Sequence, residues 1–159
     1  MTERPASAEP ETLTEVAEEL EGIEVDAPRV GIVMGSKSDL PEMEKAGAEL
    51  DERGIRYEIR VMSAHREPDV VSEYAKNAKF RGLGVIIAGA GLSAALPGVV
   101  AAHTELPVIG VPLAAKTGVM NGLDALLSVA QMPPGVPVAC VGVDNARNAA
   151  VLAARILAL

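Results

Sequence analysis

Short apolar runs alternate with longer amphipathic stretches along this chain from Arg29 onward. The run R-V-G-I-V-M (29–34) predicts a first strand. Leu40, Met43, Gly47 and Leu50 then fall on one stripe and predict a helix. Ser38 or Asp39 can cap that helix, Pro41 suits its first turn, and Gly54 ends it. I-R-Y-E-I-R-V-M (55–62) alternates with period two and predicts a second strand, at a sheet edge. P-D-V-V-S-E-Y-A-K-N-A-K-F-R-G (68–82) predicts a second helix, opened by Pro68 and stopped by Gly82. V-I-I-A (85–88) reads as a fully buried third strand.

The alternation continues to the C-terminus. A short helix is expected over 97–103, a fourth strand over 106–111 and a fourth helix over 122–131. V-P-V-A-C-V-G-V (136–143) predicts a fifth strand, and 144–159 a long Ala-rich last helix. Five strand-then-helix units imply a parallel sheet with helices on both faces, because the crossovers are right-handed. Five strands in such a sheet most often take the order 2-1-3-4-5. The loops after strands 1, 2 and 3 then lie side by side at the carboxyl edge, where such sheets bind ligands.

Charge separates a leader from this pattern. Residues 1–28 hold eight Glu and Asp26 against Arg4, a net −8; residues 29–159 hold 13 acids and 13 bases. The leader reads as an acidic N-terminal extension, and 29–159 as one catalytic-sized domain. Leu13, Val16 and Leu20 lie at i, i+3 and i+7, so the extension fits either a solvated tail or a short amphipathic helix. The balanced body has no basic stripe, which argues against nucleic acid as a partner. No apolar run reaches membrane-spanning length, and the acidic start lacks the pattern of a signal peptide, so a cytoplasmic location is expected.

Composition narrows the core and the chemistry. Aromatics are 2% of the chain, so the core is built from Val, Ile, Leu, Ala and Met. The single Cys140 excludes an internal disulfide and a Cys-based zinc site; in its apolar run it reads as a buried packing residue. The two histidines, His65 and His103, are far apart in sequence and show no metal-ligand spacing, so no metal is expected; His103 is expected to face solvent at a helix end. The last helix is apolar nearly all round, from Ala149 to Leu157, more than one sheet face can cover; an oligomer follows.

Three loops carry the candidate chemistry. In G-S-K-S-D (35–39), Gly35 allows a tight turn and a close ligand approach, Ser36 and Ser38 offer hydroxyls beside free helix N–H groups, and Asp39 can accept from sugar hydroxyls. The same residues also suit a plain capped turn. No G-K-[ST] follows, so triphosphate chemistry is not indicated. In S-A-H-R-E-P (63–68), Arg66 can hold a phosphate bidentately, Ser63 adds a donor, and His65 titrates near neutrality and can give and take a proton. In A-G-A-G-L-S-A-A-L-P-G (88–98), small residues including Ala90 and Gly91 leave a smooth wall for a carboxylate or CO₂, or alternatively serve close helix–sheet packing.

These segments carry a resemblance. V-G-I-V-M-G-S-K-S-D, S-A-H-R-E-P, I-I-A-G-A-G, L-P-V-I-G-V-P, G-L-D-A-L-L-S, Q-M-P-P-G-V-P-V-A and N-A-A-V-L-A-A-R-I-L occur in one order over 29–159. Together they resemble the N5-carboxyaminoimidazole ribonucleotide mutases, the class I type of the aminoimidazole ribonucleotide carboxylase family. The resemblance implies a three-layer αβα flavodoxin-like domain, an octamer, and an enzyme of purine biosynthesis that uses no cofactor, metal or ATP. It implies that Ser36, Asp39 and Arg66 bind the ribose-phosphate and that His65 is the catalytic acid and base. The chain departs from the usual motifs in two places: Glu67 stands for a frequent threonine, and Leu92, Ser93 and Ala95 occur where G-A-A-H is common. A related branch carboxylates aminoimidazole ribonucleotide directly with CO₂, but it carries S-A-H-K and A-G-R-S-N, which are not found here. A non-catalytic ribonucleotide-phosphate binder is the reading from a different class.

Overall fold

The structure, a computed structural model, describes residues 27–159. The acidic extension assigned to 1–28 therefore lies outside the described residues but for its last two.

The elements follow in alternation: β1 (Val30–Met34), α1 (Leu40–Glu52), β2 (Tyr57–Val61), α2 (Pro68–Asn77), β3 (Val85–Gly91), α3 (Leu96–Ala102), β4 (Val108–Leu113), α4 (Leu123–Ala130), β5 (Ala139–Cys140) and α5 (Ala146–Leu157). Short 3₁₀ turns, Lys37–Asp39 and Met120–Gly122, lead into α1 and α4. All strand pairings are parallel, and the order is β2-β1-β3-β4-β5. This is the flavodoxin-like three-layer arrangement expected from the alternation.

Period-two alternation sorts the strands between the two helical layers. Val30, Ile32 and Met34 face a core shared with Met43, Ala46 and Leu50 of α1 and Ala149, Ala150 and Ala153 of α5. Val33, Ile86 and Ala88 face the other core, with Val71 and Ala75 of α2, Val100 of α3 and Val129 of α4. Burial on both faces explains why β1, β3 and β4 read as continuous apolar runs. Close approach also demands glycine: a Cβ on Gly31 would run into the Tyr74 hydroxyl.

Several boundaries differ from the sequence pattern. The Gly/Ala stretch expected to leave the sheet at Ala88 stays in β3 through Gly91, because Ala88 to Gly91 pair with Gly110 to Leu113. The loop therefore begins at Leu92. β5 spans two residues rather than 136–143. It pairs only with β4, and the nearby Pro133, Pro134 and Pro137 remove ladder donors. Cys140 consequently lies half-buried on an edge strand rather than in the core, and partial burial raises its thiol pKa. α2 ends at Asn77, with turns carrying the chain to Gly82, whose φ of 93° is left-handed. α5 starts at Ala146, where Asn145 Oδ1 accepts from the Asn148 N–H at 3.1 Å. Its Ala146, Ala149, Ala150 and Ala153 are buried, while Val151, Leu152 and Ile156 are only partly covered by this one chain.

Candidate active site

At the carboxyl edge, the loop after β1 folds on its own hydroxyls. Ser36 is extended (φ −148°, ψ 150°), and its Oγ accepts from Ser38 N–H at 3.2 Å and from Ser38 Oγ at 2.9 Å. Ser36 thus caps the 3₁₀ turn. Asp39 occupies the cap position of α1 but makes no side-chain capping bond, so its carboxylate is not committed to the helix. Burial pushes the Asp39 carboxyl above its ordinary value, and a hydrogen bond from the Ser36 backbone opposes that shift. Gly35 has no left-handed φ, and a Cβ there would meet nothing within 4 Å. The tight turn does not require glycine; the space beside Gly35 is open.

The loop after β2 is held against the first one. Met62 N–H donates to the Met34 carbonyl at 2.8 Å, continuing the β1–β2 ladder to the start of the S-A-H-R segment. Ser63 is buried, at 8% exposure. Its Oγ accepts from the backbone N–H and the Nε of Arg66, both at 3.2 Å. Ser63 was expected to donate to ligand; its hydroxyl oxygen also positions Arg66, and accepting these bonds leaves its O–H able to donate. The Arg66 guanidinium then reaches across, and Nη2 donates to the Gly35 carbonyl at 2.9 Å. Two of its five N–H donors are used, which leaves three for an anion. His65 is exposed on the same turn, and among the described residues no protein group bonds its ring nitrogens.

The third loop behaves differently from its sequence reading. Ala90 and Gly91 are strand residues, Ala90 buried and Gly91 partly so. A Cβ on Gly89 would run into the Met43 thioether, and one on Gly91 would lie 3.1 Å from the Leu113 carbonyl oxygen and 3.3 Å from Ala115 Cβ. Close packing thus accounts for the small residue at both positions. Leu92 follows with a left-handed φ of 56°.

His103 ends α3, where its Nδ1 lies 2.8 Å from the Val99 carbonyl oxygen. α3 runs back from the carboxyl edge, so His103 belongs to the amino edge, away from His65. Two hollows also lie at the amino edge, one of about 720 Å³ around Pro28, Asp51 and Tyr57, the other of about 400 Å³ around Arg29, Ile55 and Leu157. Neither includes a residue of the three loops. Among the described residues, no helix is long and apolar enough to cross a membrane.

Sequence reasoning missed the Gly35 carbonyl as an acceptor and Ser63 as the anchor of Arg66. Backbone acceptors carry no sequence signal. The Ser63–Arg66 spacing of three residues was a usable one, since a single turn brings such side chains together.

Fold and loops together define a flavodoxin-like α/β protein with a cluster of polar side chains on its carboxyl edge. The family model described as AIR carboxylase matches residues 29–159, and the chain belongs to that family. It is 62% identical to an N5-carboxyaminoimidazole ribonucleotide mutase of Thermotoga maritima over 132 residues, 83% of this chain and 76% of the relative. It is 56% identical to a phosphoribosylaminoimidazole carboxylase of Schizosaccharomyces pombe over 84% of this chain but 24% of that one. Among solved structures, Treponema denticola PurE superimposes with a TM-score of 0.72 at 37% identity, covering 82% of this chain and 80% of that one.

Proposed function

We propose that this chain is an N5-carboxyaminoimidazole ribonucleotide mutase of purine biosynthesis, converting the N5-carbamate to 4-carboxy-5-aminoimidazole ribonucleotide. The observation that carries the site assignment is the Arg66–Gly35 hydrogen bond. It places the loop bearing His65 beside the loop bearing Ser36, Ser38 and Asp39. Arg66 and the two serines bind the phosphate, Asp39 accepts from ribose hydroxyls, and Ser63 holds Arg66 in place. Ala90 and Gly91 form the wall beside the base.

The reaction is redox-neutral and needs two proton movements. The N–C bond of the carbamate breaks, CO₂ is released, and the exocyclic amine takes a proton from His65. C4 of the electron-rich ring attacks the CO₂, and the proton on C4 leaves to the now-neutral imidazole. One side chain serves as acid and then base, which needs an imidazole free of competing hydrogen bonds. His65 has that freedom among the described residues. No step calls for a metal, ATP or a redox cofactor.

The catalytic unit is residues 29–159, with 1–28 an accessory extension. The partly covered face of α5 supports a homo-oligomer, and the family resemblance an octamer. A cytoplasmic location fits a purine-forming enzyme.

The test is turnover of two substrates by the same preparation. The carbamate should give the C4 carboxylate without ATP, while aminoimidazole ribonucleotide at low bicarbonate should give little. Rapid product from the second substrate would make the protein a direct carboxylase. Folded protein inactive on both would leave a binder.

A further inference from the structure

The smaller hollow on the amino edge combines apolar walls with positive charge. Ile55, Ala154 and Leu157 give it the apolar surface, and Arg29 and Arg56 the charge, around a volume of about 400 Å³. No acid is among its described lining residues. Arg29 is exposed, and among the described residues no acid pairs with its guanidinium. The larger hollow shares Ile55 and Arg56 but is also lined by Asp51 and Glu58. The smaller one therefore suits an occupant that brings apolar side chains together with negative charge.

The chain just upstream of this hollow has that chemistry. The described residues begin at Ala27, which is itself part of the hollow's wall. The turn after α2 meets it there: a Cβ on Gly82 would lie 3.6 Å from Ala27 Cβ, and the same turn carries exposed Lys79. Residues 1–26 hold the eight Glu and Asp26 against Arg4. Within them T-L-T-E (12–15) has the capping-box pattern of a helix start, and Gly22 suits a helix stop. Between the two, Leu13, Val16, Ala17 and Leu20 fall on one stripe, with Glu15, Glu18 and Glu19 off it.

A helix over 13–21 is marginal alone in water, so it needs an apolar surface to pack on. The seven steps from Leu20 to Ala27 reach roughly 23 Å when extended, which lets the stripe fold back onto the hollow. Tethering at the wall gives the segment a local concentration on the order of millimolar, an advantage over any free partner. We propose that residues 13–21 form an amphipathic helix that docks in the Arg29–Ile55–Leu157 hollow of their own chain. The stripe packs on Ile55, Ala154 and Leu157, while the acids that flank it lie near Arg29 and Arg56. The docking is independent of the mutase reading, because the hollow includes no residue of the three candidate loops.

The test uses the full chain. Hydrogen exchange over 13–21 and 153–158 is followed in wild type, in Arg29→Glu, and in a variant combining Leu13→Ser, Val16→Ser and Leu20→Ser. Both segments should exchange about tenfold more slowly in wild type than in the serine variant, with Arg29→Glu between them. Equal exchange in wild type and the serine variant would overturn the docking, and equal exchange in wild type and Arg29→Glu would overturn its charge basis. Crosslinking then identifies whose leader occupies the hollow. Thr14→Cys and Ala158→Cys are combined with Cys140→Ser and treated with a short bismaleimide. A crosslink within one chain is expected, at a yield that falls when the three serines are added. An unchanged yield would mean that tethering alone brings the ends together, and would overturn the proposal. A crosslink between two chains would seat a second copy's leader in the hollow and overturn it too, as would the lack of any crosslink.

Discussion

Arg66 donates through Nη2 to the carbonyl of Gly35 at 2.9 Å, tying together two loops 31 residues apart in the chain. The same guanidinium is braced from below by Ser63 Oγ. The arginine is thus fixed before any ligand arrives, so binding an anion costs little side-chain entropy. Ser63→Ala removes the acceptor for both the Arg66 backbone N–H and Nε. The expected result is a KM increase of about five- to thirtyfold, from one or two charge-assisted hydrogen bonds, with kcat changed less. Steady-state kinetics on the carbamate check this. A fall in kcat at constant KM would place Ser63 in the chemical step instead.

His65 calls for the opposite split. Its ring makes no hydrogen bond among the described residues and is exposed, so His65→Asn removes no packing seen there. Tm should stay at the wild-type value, while kcat falls by about 10²–10⁴. A variant with both activity and Tm intact would make the histidine a bystander.

Asp39, proposed above to accept from ribose hydroxyls, is held at a cost to stability. Its carboxyl is raised above the ordinary 3.8 mainly by burial. For an acid shifted upward, the folded state holds its proton more tightly than the unfolded state. Stability therefore falls as pH rises from the ordinary value through the folded one, and the loss persists at neutral pH. Asp39→Asn carries no charge to desolvate. It should raise Tm at pH 7, and the gain over wild type should shrink below about pH 4, where both states of Asp39 are protonated. Substrate affinity should fall in the same variant. Thermal melts across pH, paired with KM, test the two halves separately.

The alternation of apolar runs and helices was sufficient to order the five strands, because β1, β3 and β4 are buried on both faces. It was weakest at β5, where one neighbour and three nearby prolines leave two paired residues of a long apolar run. Apolar composition there reports partial burial, not ladder pairing. The extent of β3 was hidden for another reason. Gly and Ala suggest a loop, yet Gly89 and Gly91 are small because Met43 and the β4 loop crowd them. Residue types at the site were legible, but the roles of Ser63 and Gly35 depend on a contact between distant loops. The strain at Leu92 depends on a backbone angle, which the residue type argues against.

Support for the His65 loop extends behind it, to Glu58 on β2. Its Oε1 accepts from Tyr74 Oη at 2.8 Å and from Arg81 Nη2 at 2.6 Å, and Arg81 lies over the Tyr74 ring at 4.7 Å. These bonds fasten α2 and the turn after it to β2, the two elements that the S-A-H-R loop connects. Burial raises the Glu58 carboxyl, but hydrogen bonds from Arg81 and Tyr74 with the charge of Arg81 outweigh it, and the net shift is downward from the ordinary 4.5. An acid shifted down contributes stability above its unfolded value and loses it as pH falls through the folded one. Glu58→Gln should therefore cost about 1–2 kcal/mol at neutral pH, and its penalty should fade in acid, below the folded value of Glu58. Chemical denaturation at several pH values measures this. Because α2 would be held less firmly, KM should rise modestly as well. A pH-independent penalty would mean that shape, not charge, makes this cluster matter.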